Sequence, residues 1–174
     1  MRSSRIILGG LALIVFQGID LSFSDGAAAQ HLVTKDAPVP VLIEVLGKHD
    51  PDRGYRNHRR AADLLGERQA REAVPVLIRN LDSLDEDVIR ECAIALGKIG
   101  HPSAAPALIR GLESDFRKAK NPHVIGDAII ALGKIGLKAT EARGAIRPVL
   151  KRYEREGTRE QARWAKRALG YWGE

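Results

Sequence analysis

A short run of small residues closed by Leu-Gly recurs four times along the chain, and it restricts the possible folds more than any other feature of the sequence. It reads Arg59-Arg60-Ala61-Ala62-Asp63-Leu64-Leu65-Gly66, then Arg90-Glu91-Cys92-Ala93-Ile94-Ala95-Leu96-Gly97-Lys98-Ile99-Gly100. It returns as Gly126-Asp127-Ala128-Ile129-Ile130-Ala131-Leu132-Gly133-Lys134-Ile135-Gly136 and as Arg163-Trp164-Ala165-Lys166-Arg167-Ala168-Leu169-Gly170. The Leu-Gly glycines stand 31, 36 and 37 residues apart. Upstream of each lies an apolar run holding a proline: Val39-Pro40-Val41-Leu42, Val74-Pro75-Val76-Leu77, Ala105-Pro106-Ala107-Leu108 and Arg147-Pro148-Val149-Leu150. Each repeat therefore holds two apolar segments. A unit of this size has more apolar surface than it can bury alone, so the units have to stack.

Both segments of a repeat have helical spacing. Val74, Leu77, Ile78 and Leu81 fall at i, i+3, i+4 and i+7. The partner stripes are Ile89, Cys92, Ala93, Leu96 and Ile99 in the second repeat, and Ile125, Ala128, Ile129, Leu132 and Ile135 in the third. The pattern predicts helices over 36–48, 53–67, 70–82, 84–98, 102–114, 121–136, 140–156 and 158–172. No segment sustains the alternation of a half-buried strand, so no sheet is expected. Ser83 with Glu86, and Thr158 with Gln161, have capping-box spacing. Asn121-Pro122 reads as a helix start. Gly100 and Gly136 fit left-handed helix ends. Pro40, Pro75, Pro106 and Pro148 belong in first turns or at kinks. Ser114 to Lys120 is an insertion made basic by Arg117, Lys118 and Lys120. The residues five before each repeat glycine are Ala61, Cys92, Ala128 and Ala165. All are small, as close packing of stacked helices requires, and this predicts a buried, unreactive Cys92.

The pairing of a proline-bearing apolar helix with one ending Ala-x-Ala-Leu-Gly-x-Ile-Gly resembles HEAT repeats, and most closely the short HEAT-like class first associated with phycobilin lyases. The resemblance covers residues 36 to 172, departing at Leu64-Leu65-Gly66-Glu67-Arg68 and at Leu169-Gly170-Tyr171-Trp172. It implies an all-α solenoid of four HEAT-like helix pairs, about eight helices in a right-handed superhelical stack. It further implies that the second helix of each pair lines the concave side. Fold and function are separable in such arrays.

The chain has 174 residues and a formal charge of +6. Residues 1–29 read as a secretory signal. Arg2 and Arg5 precede an uncharged apolar run from Ile6 to Phe16, and Ala27-Ala28-Ala29 supplies a cleavage site before Gln30. That run is too short to cross a membrane as a helix, although an uncleaved anchor is the alternative. The expected organisation is a signal at 1–29, a short lead at 30–35, and a repeat domain at 36–174 with repeats near 36–69, 70–100, 101–137 and 138–174. A periplasmic or secreted location follows.

No catalytic constellation is visible. The single cysteine excludes an internal disulfide and a cysteine-built zinc site. His58 takes the register of Ile89 and Ile125 and is expected to pack rather than to ligate. His49-Asp50 lacks the further ligands a metal hydrolase needs. Deoxyhypusine hydroxylases, which share this architecture, carry paired His-Glu dipeptides for iron, and none occurs here. An export signal and an incomplete set of repeats argue against a phycobilin lyase. Neither cofactor nor metal is expected, and the protein is read as a non-enzymatic scaffold.

Residues at −10, −6, −3 and +1 from each repeat glycine form one stripe of the second helices, opposite the small apolar stripe. From it come the candidate partner-binding residues Arg60, Glu91, Ile94, Asp127, Ile130, Trp164, Arg167 and Tyr171. Mixed charge with aromatic and Arg members suits recognition of another protein or a peptide. The competing reading is a solvated face whose opposite charges pair between repeats. Residues 138–174 hold ten Lys and Arg against five acids, whereas 30–137 hold sixteen against fifteen. That basic, aromatic end is read as a capping repeat, with binding of an acidic protein or anionic surface as the alternative. Nucleic acid is disfavoured by the compartment. A lyase or chaperone-like factor for a protein-bound cofactor is the second functional reading.

Overall fold

The computed structural model describes residues 33–48 and 55–173. Over these it is an all-α solenoid of four helix pairs, with no strand among the described residues. The pairs are α1 (Val39–Gly47) with α2 (Arg56–Glu67), α3 (Val74–Arg79) with α4 (Glu86–Ile99), α5 (Ala104–Glu113) with α6 (His123–Lys138), and α7 (Arg143–Glu156) with α8 (Arg159–Gly170). The odd-numbered helices form one layer. The even-numbered helices lie side by side in the other, α2 on α4, α4 on α6 and α6 on α8. The expected signal segment and His49-Asp50 lie outside the described residues.

The core fills the space between the layers. Leu42, Leu65, Leu77, Leu96, Leu108, Leu132, Ile146 and Leu150 contribute one or two side chains from each of α1 to α7 and are fully buried. Ala61, Cys92, Ala128 and Ala165 are also fully buried, as their small size requires. At the Leu-Gly glycine, however, the backbone of one repeat meets the backbone of the next. A Cβ on Gly66 would come within 2.7 Å of the Ala95 Cα, and one on Gly133 within 2.7 Å of the Ala168 Cα. On Gly97 it would lie 2.8 Å from the Ala131 Cα. Each repeat glycine thus seats the alanine two residues before the next one. This explains the Ala-x-Ala-Leu-Gly grammar: two backbones meet where neither can carry a larger side chain.

Several helix ends follow the sequence reading. Thr158 and Gln161 form a reciprocal capping box on α8, and Gly100 closes α4 at φ 73°. Pro40 and Pro75 sit in first turns, while Pro148 lies inside α7, which starts five residues earlier at Arg143.

Three expectations are corrected. Ser83 and Glu86 do not form a capping box. The cap of α4 is Asp85, whose carboxylate accepts the Val88 N–H at 2.9 Å. Glu86 instead accepts the Lys120 and Asn121 N–H groups at 2.7 and 2.8 Å and ties down the insertion after α5. Gly136 is not a left-handed end. α6 runs on to Lys138, and the Trp172 indole covers Gly136 where a Cβ would otherwise stand. The insertion is not merely a basic loop either: Phe116 is buried, with its ring against Gly111.

Candidate functional site

The −10, −6, −3, +1 stripe is the solvent side of the even-numbered helices. Asp87, Glu91, Ile94 and Lys98 on α4, and Asp127, Ile130 and Lys134 on α6, are half-buried, flanked by fully buried neighbours. Salt bridges cross it from repeat to repeat. Arg59 Nη1 donates to Asp87 Oδ2 at 2.7 Å, and Arg90 Nε to Asp127 Oδ2 at 2.8 Å. In the other direction Lys98 Nζ donates to Asp63 Oδ1 at 2.9 Å. Pairs this exposed each contribute about 0–1 kcal/mol, so their role is to set the register between helices. The paired-charge reading of Asp63 and Asp127 therefore describes their geometry.

The other candidate residues separate into distinct environments. Arg60 turns away from the face, its Nε donating to the Val33 carbonyl at 2.9 Å and holding the chain that precedes α1. Arg68 donates to the Lys35 and Ala37 carbonyls of the same segment. Glu91 has no ion-pair partner among the described residues. Burial holds its carboxyl above the ordinary value and nearby Asp63 adds to this, while Arg90 and Lys98 oppose it and Asp127 adds a smaller part. Ile94 and Ile130 keep part of their side chains in water at the centre of the face. Trp164 lies over Gly126, with its ring centroid 6.0 Å from that of His123. Arg167 is exposed and Tyr171 half-buried just past α8. The face thus offers apolar and aromatic surface at Ile94, Ile130 and Trp164, with ammonium groups at Lys134 and at Lys98, the latter beside Asp63, and a carboxyl at Glu91 that burial holds above its ordinary pKa.

Two other residues resolve as the sequence implied. Cys92 is fully buried, and burial pushes its thiol far above the ordinary range. His58 is buried, with Nε2 2.6 Å from the Lys48 carbonyl and its ring edge-on to Tyr55. A cleft of about 440 Å³ opens where α6 meets the α7–α8 turn, lined by Ile125, Arg152, Tyr153, Glu156, Gly157 and Gln161. Periodicity gave no sign of it, because three elements converge there. No group of His, Cys, Asp and Glu able to hold a metal exists among the described residues.

Stacked helix pairs joined through Gly-Ala contacts, with one exposed face of second helices, form an α-solenoid of HEAT-like repeats. The family model of HEAT repeats matches residues 39–119. The chain is 36% identical over 154 residues to phycocyanobilin lyase subunit alpha of Nostoc sp. (strain PCC 7120), covering 80% of this chain and 55% of the relative. It is 37% identical over 107 residues to the subunit of the same name from Picosynechococcus sp. (strain PCC 7002), covering 58% of this chain and 39% of that one. The chain thus spans about half the length of the curated relatives it matches. Among solved structures, the complex of CpcE and CpcF of phycocyanin lyase from Nostoc superposes with a TM-score of 0.64 at 30% identity, over 87% of this chain and 61% of that one.

These relatives overturn the reading as a non-enzymatic scaffold, since both curated ones are named as lyase subunits. A face assembled from one or two side chains per helix leaves no linear motif in the sequence.

Proposed function

We propose that this chain serves a lyase that attaches or removes a linear tetrapyrrole on a protein, and that it holds the tetrapyrrole on the exposed face of α4, α6 and α8. The observation that carries this is the 36% identity to a phycocyanobilin lyase alpha subunit across 80% of the chain. The face suits the chemistry of such a ligand. Linear tetrapyrroles are flat and largely apolar, with ionised propionates and pyrrole N–H groups. Ile94, Ile130 and Trp164 offer apolar contact, Lys98 and Lys134 offer cations for propionates, and Glu91 offers a carboxyl for pyrrole nitrogens. The protein partner is then the acceptor or donor of the tetrapyrrole, joined by a complementary lyase subunit. We further propose that the mature chain starts at Gln30 and works outside the cytoplasm, on the strength of the signal pattern in residues 1–29.

The test is titration of the purified chain with phycocyanobilin, followed by absorbance and fluorescence. It is then assayed for transfer to an apo-phycocyanin subunit, with and without a lyase beta subunit. Saturable binding weakened by Trp164→Ala and by Lys134→Glu is expected. Neither binding nor accelerated transfer in any combination would overturn the proposal.

A further inference from the structure

We propose that Lys134 is the one carboxylate anchor of the exposed face: it takes a propionate of the bound tetrapyrrole, whereas Lys98, which stands in the same Leu-Gly-Lys-Ile-Gly sequence, takes none because Asp63 already holds it. This rests on the reading that the face binds a linear tetrapyrrole, and it assigns the ionised arm of that ligand to one side chain. The residues concerned lie on α4 and α6, each of which packs between two other second helices.

The two lysines begin alike. Leu96-Gly97-Lys98-Ile99-Gly100 of the second repeat returns as Leu132-Gly133-Lys134-Ile135-Gly136 in the third. Both side chains are half-buried on the solvent side of their helices, one residue after the repeat glycine. Nothing local separates them, so the difference comes from the helix that each one adjoins. Lys98 leans back on α2. Its Nζ donates to Asp63 Oδ1 at 2.9 Å, and a Cβ on Gly66 would lie 3.3 Å from its Cδ. Asp63 stands three residues before Gly66, and the residue three before Gly97 is Ile94. Lys134 therefore has an apolar side chain in the register where Lys98 finds a carboxylate. Among the described residues Lys134 has no carboxylate partner. Its stem is not drawn back as that of Lys98 is, since the three atoms nearest to a Cβ on Gly97 all belong to Ala131.

These environments give the two ammonium groups different affinities for an incoming anion. A carboxylate approaching Lys98 has to displace Asp63 or lie beside its like charge, which cancels most of the attraction. Other acids of the face are engaged in the same way, Asp87 by Arg59 at 2.7 Å and Asp127 by Arg90 at 2.8 Å. Lys134 keeps its full attraction, and its partial burial reduces screening by salt. Ile94 adjoins it by register, and Ile130 stands four residues before it on α6. A propionate matches this setting: its two methylenes pack on the isoleucines while its carboxylate accepts hydrogen bonds from the ammonium. The flat, apolar body of the ligand then lies over Ile94 and Ile130.

The probes are phycocyanobilin and its dimethyl ester, which differ only in the esterification of the two propionates. Each is titrated into the full chain at low salt and followed by absorbance. The parent is expected to bind the free acid about tenfold more tightly than the ester, as one charge-assisted pair provides. Lys134→Met is expected to abolish that preference by weakening the acid alone, and Lys134→Arg to restore it. Asp63→Asn releases Lys98 and is expected to raise the preference by about a further threefold. Lys151→Met, on α7 in the other layer, removes the same charge elsewhere and is expected to leave the preference unchanged. Circular dichroism of the variants should match the parent, since none of the three positions is buried. Equal binding of acid and ester by the parent overturns this inference and leaves the tetrapyrrole reading standing, whereas no binding of either probe overturns both. A preference that survives Lys134→Met also overturns it. A fall in Lys151→Met equal to that in Lys134→Met does so too, by showing general attraction to a basic chain. No rise in Asp63→Asn overturns the exclusion of Lys98.

Discussion

Replacing Gly97 by alanine should destabilise the stack, and replacing Gly170 by alanine should not, although both glycines close the same Leu-Gly motif. A Cβ on Gly97 would stand 2.8 Å from the Ala131 Cα and 3.0 Å from its Cβ. Carbon atoms in ordinary contact are about 3.5–4.0 Å apart, so α4 and α6 must separate locally by nearly an ångström. The obstructing atoms are backbone and cannot rotate away. Overpacking of this kind costs about 1–3 kcal/mol, while alanine in a helix interior regains about 1 kcal/mol over glycine. The net expectation for Gly97→Ala is a loss of about 1 kcal/mol, within a range of about 0–2. At Gly170 there is nothing to obstruct, and up to about 1 kcal/mol of helix propensity remains as a gain. The two variants should therefore differ by about 2 kcal/mol, or roughly 4–8 °C in Tm at 2–4 °C per kcal/mol. Urea denaturation followed by circular dichroism, with unchanged m values, measures it. Gly97→Ala as stable as Gly170→Ala would refute the glycine-on-alanine account of stacking. Gly66→Ala and Gly133→Ala serve as independent repeats of the same experiment.

Further outcomes can be checked separately. Cys92 should resist a thiol reagent at pH 8 in the folded protein and react stoichiometrically in denaturant; rapid labelling of the native chain would contradict its burial. The folded state holds the Glu91 proton more tightly than the unfolded state, so the stability it gives is full at low pH and falls as pH rises above the ordinary value of 4.5. Glu91→Gln should accordingly raise the urea midpoint at pH 7 and lose that advantage near pH 4, and an equal effect at both pH values would exclude this origin. Trp172 donates from Nε1 to the Gly133 carbonyl at 2.8 Å and lies under the Arg143 guanidinium, so Trp172→Ala should cost about 2–4 kcal/mol and loosen the last repeat first, as hydrogen exchange would reveal. Mass spectrometry of the chain recovered from an exporting host should show Gln30 at its N-terminus; an intact Met1 there would refute cleavage.

The sequence alone determined the repeat, the helix pairs and the side of each helix that faces water. Spacing of Leu, Ile and Ala reports burial directly, because one helix face repeats every 3.6 residues whatever lies opposite. For the same reason the stripe holding Glu91, Ile94, Asp127 and Ile130 was legible, as were buried Cys92 and His58 and the capping box at Thr158. What the tertiary structure decided are the contacts that a helix's own 3.6-residue period does not encode. Only stacking shows that Asp127 belongs to Arg90, that Arg60 grips its own preceding segment and that Phe116 fills the space over Gly111. Gly136 has the local signature of a helix end, yet Trp172, 36 residues later, lies across it and the helix continues. Periodicity specifies which face of a helix is buried, whereas what covers that face, and what chemistry an assembled surface performs, depends on elements the local pattern does not encode.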